Sequence, residues 1–149
     1  MIKLNFPSSD LRIREVNNRK EIFDPLRKKF VLLTDEEWVR QNLISYLATD
    51  RKVPLSMMAS ERGLLVNNMP KRFDLLIFST DGNPLMIIEC KAPHVPVDEE
   101  VFYQAARYNI TLQVEYLLIT NGLEHHCIKI NYDTGETKFL KEMPLYHEL

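Results

Sequence analysis

The sequence predicts an α/β (α+β) domain in which a mixed central sheet is flanked by helices. Three observations predict this fold class. Amphipathic segments at about 34–48 and 98–112 indicate helices, an apolar β-hairpin occupies residues 71–93 between them, and a buried strand follows at 115–120. Strands and helices that alternate in this way are typical of a sheet with helices packed against it. The predicted core order is α-β-β-β-α-β.

The length and composition of the chain are those of one globular domain. It has 149 residues, of which 45% are hydrophobic and 27% charged. No stretch is apolar enough for a membrane span, and charges interrupt residues 1–30, so neither a membrane segment nor a signal peptide is expected. Cys90 and Cys127 fall in predicted strands, and we expect reduced, buried thiols in a cytoplasmic protein.

The expected organisation is a single domain over residues 1–149. Residues 1–33 are predicted to be a polar, irregular N-terminal extension with short strand-like pieces near 11–13 and 29–33. Residues 34–122 form the core that carries the motifs, and residues 123–149 form a C-terminal hairpin and tail.

The first helix is predicted to begin after Thr34 and to run to about Ala48. Thr34 and Glu37 have the spacing of a capping box, and acidic residues fill the first turn, where the helix dipole favours negative charge. The apolar stripe of this helix consists of Trp38, Val39, Leu43, Ile44 and Leu47.

The remaining elements follow from apolar runs and turn residues. Strands are expected near 53–59 and 62–67, before the hairpin. Asp98 is the predicted cap of the second helix, and Asn121-Gly122 forms a turn after the buried strand. A last hairpin is predicted at 125–131 and 136–140. The second helix carries Phe102, Ala105, Ala106 and Leu112 on its apolar side.

The central hairpin brings three ionisable residues to the end of an apolar sheet. Its second arm runs directly into Glu89-Cys90-Lys91, and Asp74 lies on the first arm. Side chains alternate along a strand, so Glu89 and Lys91 share one face while Cys90 points the other way. A buried carboxylate is costly unless it is paired or binds a metal, so this cluster requires an explanation. The second Glu-x-Lys copy, at residues 136–138, lacks a preceding apolar run and is interpreted as a solvated strand.

Two interpretations of the cluster are open on these residues alone. It is either a buried Glu–Lys ion pair with Asp74 as a strand-start cap, or an oxygen-rich metal site. Two carboxylates and a backbone carbonyl suit Mg²⁺ or Mn²⁺, with water completing the shell. A lysine beside such a metal can hold an attacking water and offset charge on a phosphate, which is the chemistry of phosphodiester hydrolysis.

The net charge of −2 conceals an uneven distribution. Residues 1–30 carry eight Lys and Arg against four Asp and Glu, whereas residues 95–149 carry four basic against nine acidic residues. Two interpretations of this basic end are open: it attracts a phosphate backbone, or it is a polar face that water solvates.

The order and spacing of the ionisable residues resemble those of the PD-(D/E)XK nuclease superfamily: Asp74, a gap of fourteen residues, and then Glu89-x-Lys91. The pattern is most similar to the N-terminal nuclease domain of type I restriction enzyme R subunits. Residues 36–41 resemble the first-helix motif of that family, in which a glutamate points toward the metal. The spacing to the arginine favours Glu36, with Glu37 as the alternative.

A second part of the resemblance lies after the hairpin. Gln104 and Tyr108 match a Q-x-x-x-Y motif, and their spacing of four places both on one helical face. Residues 116–122 resemble the core strand and turn that follow this motif in the family. The resemblance implies that Gln104 and Tyr108 contact DNA and support the active site.

The resemblance implies a restriction-endonuclease-like fold and a Mg²⁺-dependent (or Mn²⁺-dependent) deoxyribonuclease, with DNA as its partner. Lys91 is expected to position the attacking water. Arg72, which has the strand parity of Asp74, would bind a neighbouring phosphate or pair with an acid of the site. The implied metal ligands are Asp74, Glu89, the backbone carbonyl of Cys90, and Glu36.

The chain has no G-x-x-x-x-G-K-[ST] loop and is therefore expected to be a free-standing copy of the nuclease domain without a helicase motor. Separate restriction or repair subunits and a second copy of the chain are candidate partners, whereas a membrane is not. The alternative is a non-catalytic DNA-binding or partner-dependent subunit that keeps the nuclease fold.

Overall fold

Two β-sheets and two helices make up the protein in a computed structural model. It describes residues 1–66 and 69–149, without the side chains of 61–66, 69–71, 108, 110 and 111. In chain order the elements are β1 (Ile13–Val16), β2 (Arg19–Asp24), β3 (Lys29–Leu32), α1 (Asp35–Thr49), β4 (Met58–Val66), β5 (Met69–Phe78), β6 (Pro84–Cys90), α2 (Glu99–Leu112), β7 (Tyr116–Thr120), β8 (His125–Ile130) and β9 (Thr137–Leu140).

The larger sheet has six strands in the order β4-β5-β6-β7-β8-β9. Strands β6 and β7 are parallel, because α2 crosses over between them, and the other neighbouring pairs are antiparallel. Strands β1, β2 and β3 form a separate antiparallel sheet. The order α1-β4-β5-β6-α2-β7 is the predicted core order, and the predicted mixed α/β fold class is confirmed.

Both helices begin where the sequence places their caps. The Thr34 hydroxyl accepts a hydrogen bond from the Glu37 amide at 3.0 Å, and the Asp98 carboxylate accepts one from the Val101 amide at 3.1 Å. Helix α2 ends at Gln113, whose φ of 54° lies in the left-handed region that stops a helix. No helix in the described part of the chain combines the length and the apolar character needed to cross a membrane.

The helices cover opposite faces of the six-stranded sheet. Val39 and Leu43 of α1 pack with Leu75 and Ile88, whereas Ala105 of α2 packs with residues of the other face. The predicted stripe of α1 is buried except at Trp38, which is partly buried and donates its indole N–H to the carbonyl of Ile2 at 2.8 Å. Both cysteines are free and buried, as the sequence predicts. The α2 side of the sheet buries Phe73, Leu76, Ile87, Leu117, Ile119 and Ile128.

The prediction of two strands near 53–59 and 62–67 is wrong. A short 3₁₀ turn, Leu55–Met57, precedes one continuous strand, Met58–Val66; residue 67 lies outside the described residues. The polar residues near Ser60 suggested a break. However, β4 keeps one register against β5 from Met58 to Val66, so hydrogen bonds to β5 keep these polar residues in a continuous strand.

The N-terminal extension is also more regular than predicted. Instead of an irregular lead-in, it contains the antiparallel sheet β1-β2-β3. Asn17 and Asn18, both at positive φ (53° and 63°), form the two-residue turn between β1 and β2, a role that asparagine performs well in β-hairpins. Ile22 of β2 is fully buried, so this sheet has an apolar contact of its own.

Gly122 allows the N-terminal segment to approach the turn after β7. Its φ is +87°, its carbonyl accepts a hydrogen bond from the Asn5 amide at 2.8 Å, and an added Cβ would lie 2.7 Å from Leu4 Cδ2 and 3.2 Å from Val39 Cγ2. Gly135 also has a positive φ, of +74°, but an added Cβ there would meet nothing within 4 Å.

We predict that Gly122→Ala destabilises the protein by about 1 to 3 kcal/mol more than Gly135→Ala. Both substitutions cost about 1 to 2 kcal/mol for an alanine in the left-handed region, so their difference isolates the contact with Leu4 and Val39. Urea unfolding of the two variants measures this difference. Equal losses would contradict the close packing of the N-terminal segment.

Candidate active site

The β5–β6 hairpin places two carboxylates side by side where its apolar pairing ends. Leu75 pairs with Ile88, and Asp74 and Glu89 occupy the next position on each strand. The charge of Asp74 acts on Glu89 across this short separation. One oxygen of Asp74, Oδ2, accepts the backbone N–H of Cys90 at 2.7 Å, which fixes this carboxylate against the neighbouring strand.

Electrostatics at this position strongly disfavour a second negative charge. Burial, followed by the charge of Asp74, raises the pKa of Glu89 from 4.5 to about 8, although Lys91 opposes the shift. The pKa of Glu36 is also raised, first by burial and then by Asp74, while Arg40 and Lys91 act to lower it. A cation placed between these carboxyl groups would therefore relieve a repulsion that the protein does not fully compensate.

A cavity of about 190 Å³ lies beside the carboxylates, between β6 and α2. Arg72, Glu89, Lys91 and Gln104 line it, with Val101 and Ala105 contributing its apolar wall. Glu89 and Lys91 thus line one cavity, while Cys90 between them is buried in the core on the α1 side.

One backbone hydrogen bond and two exposed side chains define the surroundings of this cavity. The backbone N–H of Lys91 donates to the Thr120 carbonyl at 2.8 Å, so β7 holds the end of β6 in place. Arg72 and Gln104 are exposed at the mouth of the cavity. The side chain of Tyr108 lies outside the described residues.

A larger cavity, of about 520 Å³, lies elsewhere, around Tyr116, Lys129 and Glu136. Glu136 and Lys138 of the second Glu-x-Lys copy line it, and both are exposed, as expected for a solvated strand. We assign the chemistry to the smaller cavity because that one adjoins the two facing carboxylates.

The side chains of the two glutamates at the start of α1 have different surroundings. Glu36 is about half exposed and close enough to Asp74 and Lys91 for their charges to act on it. Glu37 is 8% exposed and accepts hydrogen bonds from Arg40 and Gln41 at 3.1 and 3.0 Å. Of the two, Glu36 therefore lies on the side of the carboxylate pair, and Glu37 belongs to a buried ionic network.

Sequence reasoning assigned no role to Arg40, which the structure places against the carboxylates. Its guanidinium is buried, and its Nη2 lies 3.4 Å from Asp74 Oδ1 and 3.7 Å from Glu36 Oε1. Arginine is rarely buried without partners, so its burial marks Arg40 as part of the site. The sequence shows only that Arg40 follows Val39 of the apolar stripe, three residues after Glu37.

The donor set fits a hard divalent cation with few protein ligands. Asp74, Glu89 and Glu36 supply carboxylate oxygens, and the backbone carbonyl of Cys90 is a further candidate ligand. Among the described residues, no three His, Cys, Asp or Glu side chains are already grouped to hold a metal by themselves. Mg²⁺ commonly uses one or two carboxylates with water and substrate oxygens, so this sparse set fits it better than a closed protein cage.

We predict that, in metal-free buffer, wild-type stability falls as pH rises from 5 to 9 and that Glu89→Gln flattens this fall. The pKa of Glu89 is raised in the folded state, so the folded protein binds an extra proton between about pH 4.5 and pH 8. The stability that this proton provides is complete below about pH 4.5, falls as pH rises through the window, and is gone above about pH 8. The difference between the curves should be on the order of 2 to 4 kcal/mol. Thermal or urea unfolding across this range measures it.

Glu136→Gln is the matched control, since this exposed glutamate belongs to the second Glu-x-Lys copy. Its stability curve should run parallel to that of the wild type. A Glu89→Gln curve that also runs parallel would contradict the burial of an ionisable group at residue 89.

One known protein family and one solved structure are similar to this chain. Residues 35–144, well over half of the chain, match the family described as type I restriction enzyme R protein N terminus (HSDR_N). A solved fragment described as an HsdR subunit of a type I restriction enzyme from Vibrio vulnificus YJ016 is 26% identical, with a TM-score of 0.43, over 62% of this chain and 19% of that chain. The match therefore covers about a fifth of that solved fragment. A search of curated proteins finds no match. The chain belongs to the type I restriction enzyme R protein N-terminal family.

Proposed function

We propose that the protein is a metal-dependent nuclease that hydrolyses phosphodiester bonds in DNA. The observation that carries the proposal is the convergence of Glu89, Lys91, Gln104 and Arg72 on one cavity beside Asp74. Membership in a family of restriction-enzyme R protein N-termini supports a restriction-related substrate, and hence DNA.

Mg²⁺ or Mn²⁺ would supply Lewis-acid stabilisation of the charge that develops on the phosphate. Asp74, Glu89 and the backbone carbonyl of Cys90 would hold it, with Glu36 contributing directly or through water. Asp74 is already oriented by the Cys90 amide and by Arg40.

Lys91 is the side chain best suited to position the attacking water. It follows Glu89 on the same side of the cavity, and its backbone is anchored to Thr120. Its ammonium group donates hydrogen bonds and places positive charge where the phosphate would lie. The oxygen of the held water would form the new bond to phosphorus as the bond to the leaving sugar oxygen breaks, and the proton that the water loses would end on that leaving oxygen.

Two exposed side chains at the mouth of the cavity could orient the strand. Arg72 offers a planar set of donors suited to a phosphate, and Gln104 on α2 offers an amide that both donates and accepts. We assign Tyr108 to the same task on the basis of the sequence motif, one helical turn after Gln104.

We predict that the protein cleaves DNA only with Mg²⁺ or Mn²⁺, and that Glu89→Ala and Lys91→Ala each lower the rate about 10²-fold or more. Both changes remove a group from the reacting centre. The measurement is cleavage of labelled linear, circular and single-stranded DNA. The circular substrate separates internal cutting from digestion from an end.

Glu136→Ala, in the second Glu-x-Lys copy, is the control and should cut at the wild-type rate. Folded Lys91→Ala protein that cuts at the full rate would remove Lys91 from the mechanism.

A second candidate function is a non-catalytic or partner-dependent subunit. One observation favours it: Arg40 and the Cys90 amide already contact the two oxygens of Asp74. Few other carboxylate oxygens are then available to bind a metal. On this proposal the partner would be DNA, another restriction or repair subunit, or a second copy of the chain.

Metal binding separates the two functions. We predict that wild-type protein binds Mn²⁺ in isothermal titration calorimetry and that Asp74→Asn and Glu89→Gln abolish binding, because each removes a carboxylate ligand. Binding without cleavage would favour a subunit that needs its partner. Absence of binding by the folded wild type would favour the non-catalytic function.

A further inference from the structure

A line of side chains with alternating charge connects the N-terminal sheet to the carboxylates of the candidate active site. It starts at the end of β2, continues through the turn before β3 and through α1, and ends on β5. We call this line the ionic relay. Its members are Asp24, Arg27, Glu37, Arg40 and Asp74.

The first part of the relay fixes Arg27. Asp24 is completely buried, and its Oδ1 accepts the backbone N–H groups of Leu26 and Arg27 at 2.8 and 3.2 Å. Its Oδ2 is paired with Nε of Arg27. Burying a carboxylate is costly unless it is paired and hydrogen-bonded, and these contacts hold the Arg27 guanidinium in one orientation.

The middle of the relay is a glutamate held between two arginines. Glu37 Oε1 accepts from Arg27 Nη2 at 2.8 Å and from Arg40 Nη1 at 3.1 Å, while its Oε2 accepts from Gln41 at 3.0 Å. An arginine presents its donors in a rigid planar fork, so a bond to one nitrogen restricts the direction of the others. The pairing of Nη1 with Glu37 therefore sets the direction of Nη2 of Arg40.

That nitrogen, Nη2, faces the candidate active site. It lies 3.4 Å from Asp74 Oδ1 and 3.7 Å from Glu36 Oε1, two proposed metal ligands. The other Asp74 oxygen accepts the Cys90 amide at 2.7 Å, so the carboxylate is held from both sides. Arg40 is 4% exposed and is poorly screened by water.

We propose that the ionic relay positions the Asp74 carboxylate, and that Arg27 and Arg40 are positioning residues of the site. The sheet Ile13–Leu32 then belongs to the active-site apparatus although it precedes the matched residues 35–144. Loss of Arg27 leaves Glu37 held by α1 alone, so Arg40 and Asp74 gain freedom to rotate. The expected consequence for metal affinity rests on the proposed function.

The test compares Arg27→Met with Arg14→Met. Arg14 is a matched control in the same sheet: it pairs with Glu21 at 2.8 Å and lies over the Phe30 ring, at the exposed end of the sheet away from the relay. Glu37→Gln, which keeps the side-chain size but removes the charge, is the second relay variant should Arg27→Met fail to fold.

The first readout is the Cys90 backbone amide in metal-free ¹⁵N–¹H spectra, because this amide donates to Asp74. In a relay variant its proton resonance should move upfield and its hydrogen exchange should accelerate, as the charge-assisted bond weakens. Arg14→Met should leave both unchanged. A general loss of stability alone would not select this amide.

The second readout is the affinity for Mn²⁺, with Asp74→Asn as the reference for a lost site. Arg27→Met should weaken binding about 10-fold, as is typical for residues that orient metal ligands, and Arg14→Met should match the wild type. Arg27→Lys should bind with intermediate affinity, because one ammonium group cannot reproduce the separate contacts of Arg27 Nε and Nη2.

The outcomes distinguish the relay from the proposed function. A Cys90 amide that is unchanged in folded Arg27→Met and Glu37→Gln overturns the relay, whatever the metal does. A shifted Cys90 amide in a protein that binds no Mn²⁺ supports the relay and overturns the metal-dependent function. A shifted amide with wild-type Mn²⁺ affinity overturns the claim that the relay matters for the metal site.

Discussion

Compensation of buried negative charge is the constraint around which the site is organised. The apolar pairing of the β5–β6 hairpin ends at Asp74 and Glu89, and burial together with the charge of Asp74 raises the pKa of Glu89 to about 8. Three groups compensate the negative charge of these carboxylates: a backbone amide from β6, a buried arginine from α1 and the lysine two residues after Glu89. Each of these partners requires its own element to be correctly placed, so the electrostatics of two carboxyl groups constrain much of the architecture.

This compensation is incomplete, as the proposed cation site requires. Asp74 is well satisfied, whereas Glu89 retains the cost of burial beside a like charge. A purely structural ion pair would favour the charged form of its carboxylate rather than oppose it. The arrangement is therefore better suited to receiving an external cation than to stabilising the fold, which supports a binding role for the cavity.

Local sequence signals predicted those parts of the fold whose causes are local. Thr34 and Asp98 marked the helix starts, and strand alternation predicted that Glu89 and Lys91 would share a side. β3 matches the strand-like piece predicted near 29–33, but β2 and the pairing of three strands into a sheet were missed. The strands are short, β1 and β2 are largely polar, and the turn between them uses two asparagines rather than glycine. The link between Arg27 and Glu37 joins different elements across ten residues, and no periodicity predicts such a contact. Arg40 was visible in the motif, but only its burial reveals which groups it contacts.

The sequence separation of these contacts also bears on how the protein folds. Asp74 and Glu89 meet within one hairpin, which can form early and remain hydrated. Arg40 and the parallel partner strand β7 come from distant parts of the chain, and β7 can pair only after α2 has crossed over. The unfavourable electrostatics therefore arise when the helices exclude water from a hairpin that already exists. The energetic cost of the site should therefore arise late in folding, after the main barrier has been crossed. A cost of this kind raises the unfolding rate more than it lowers the folding rate.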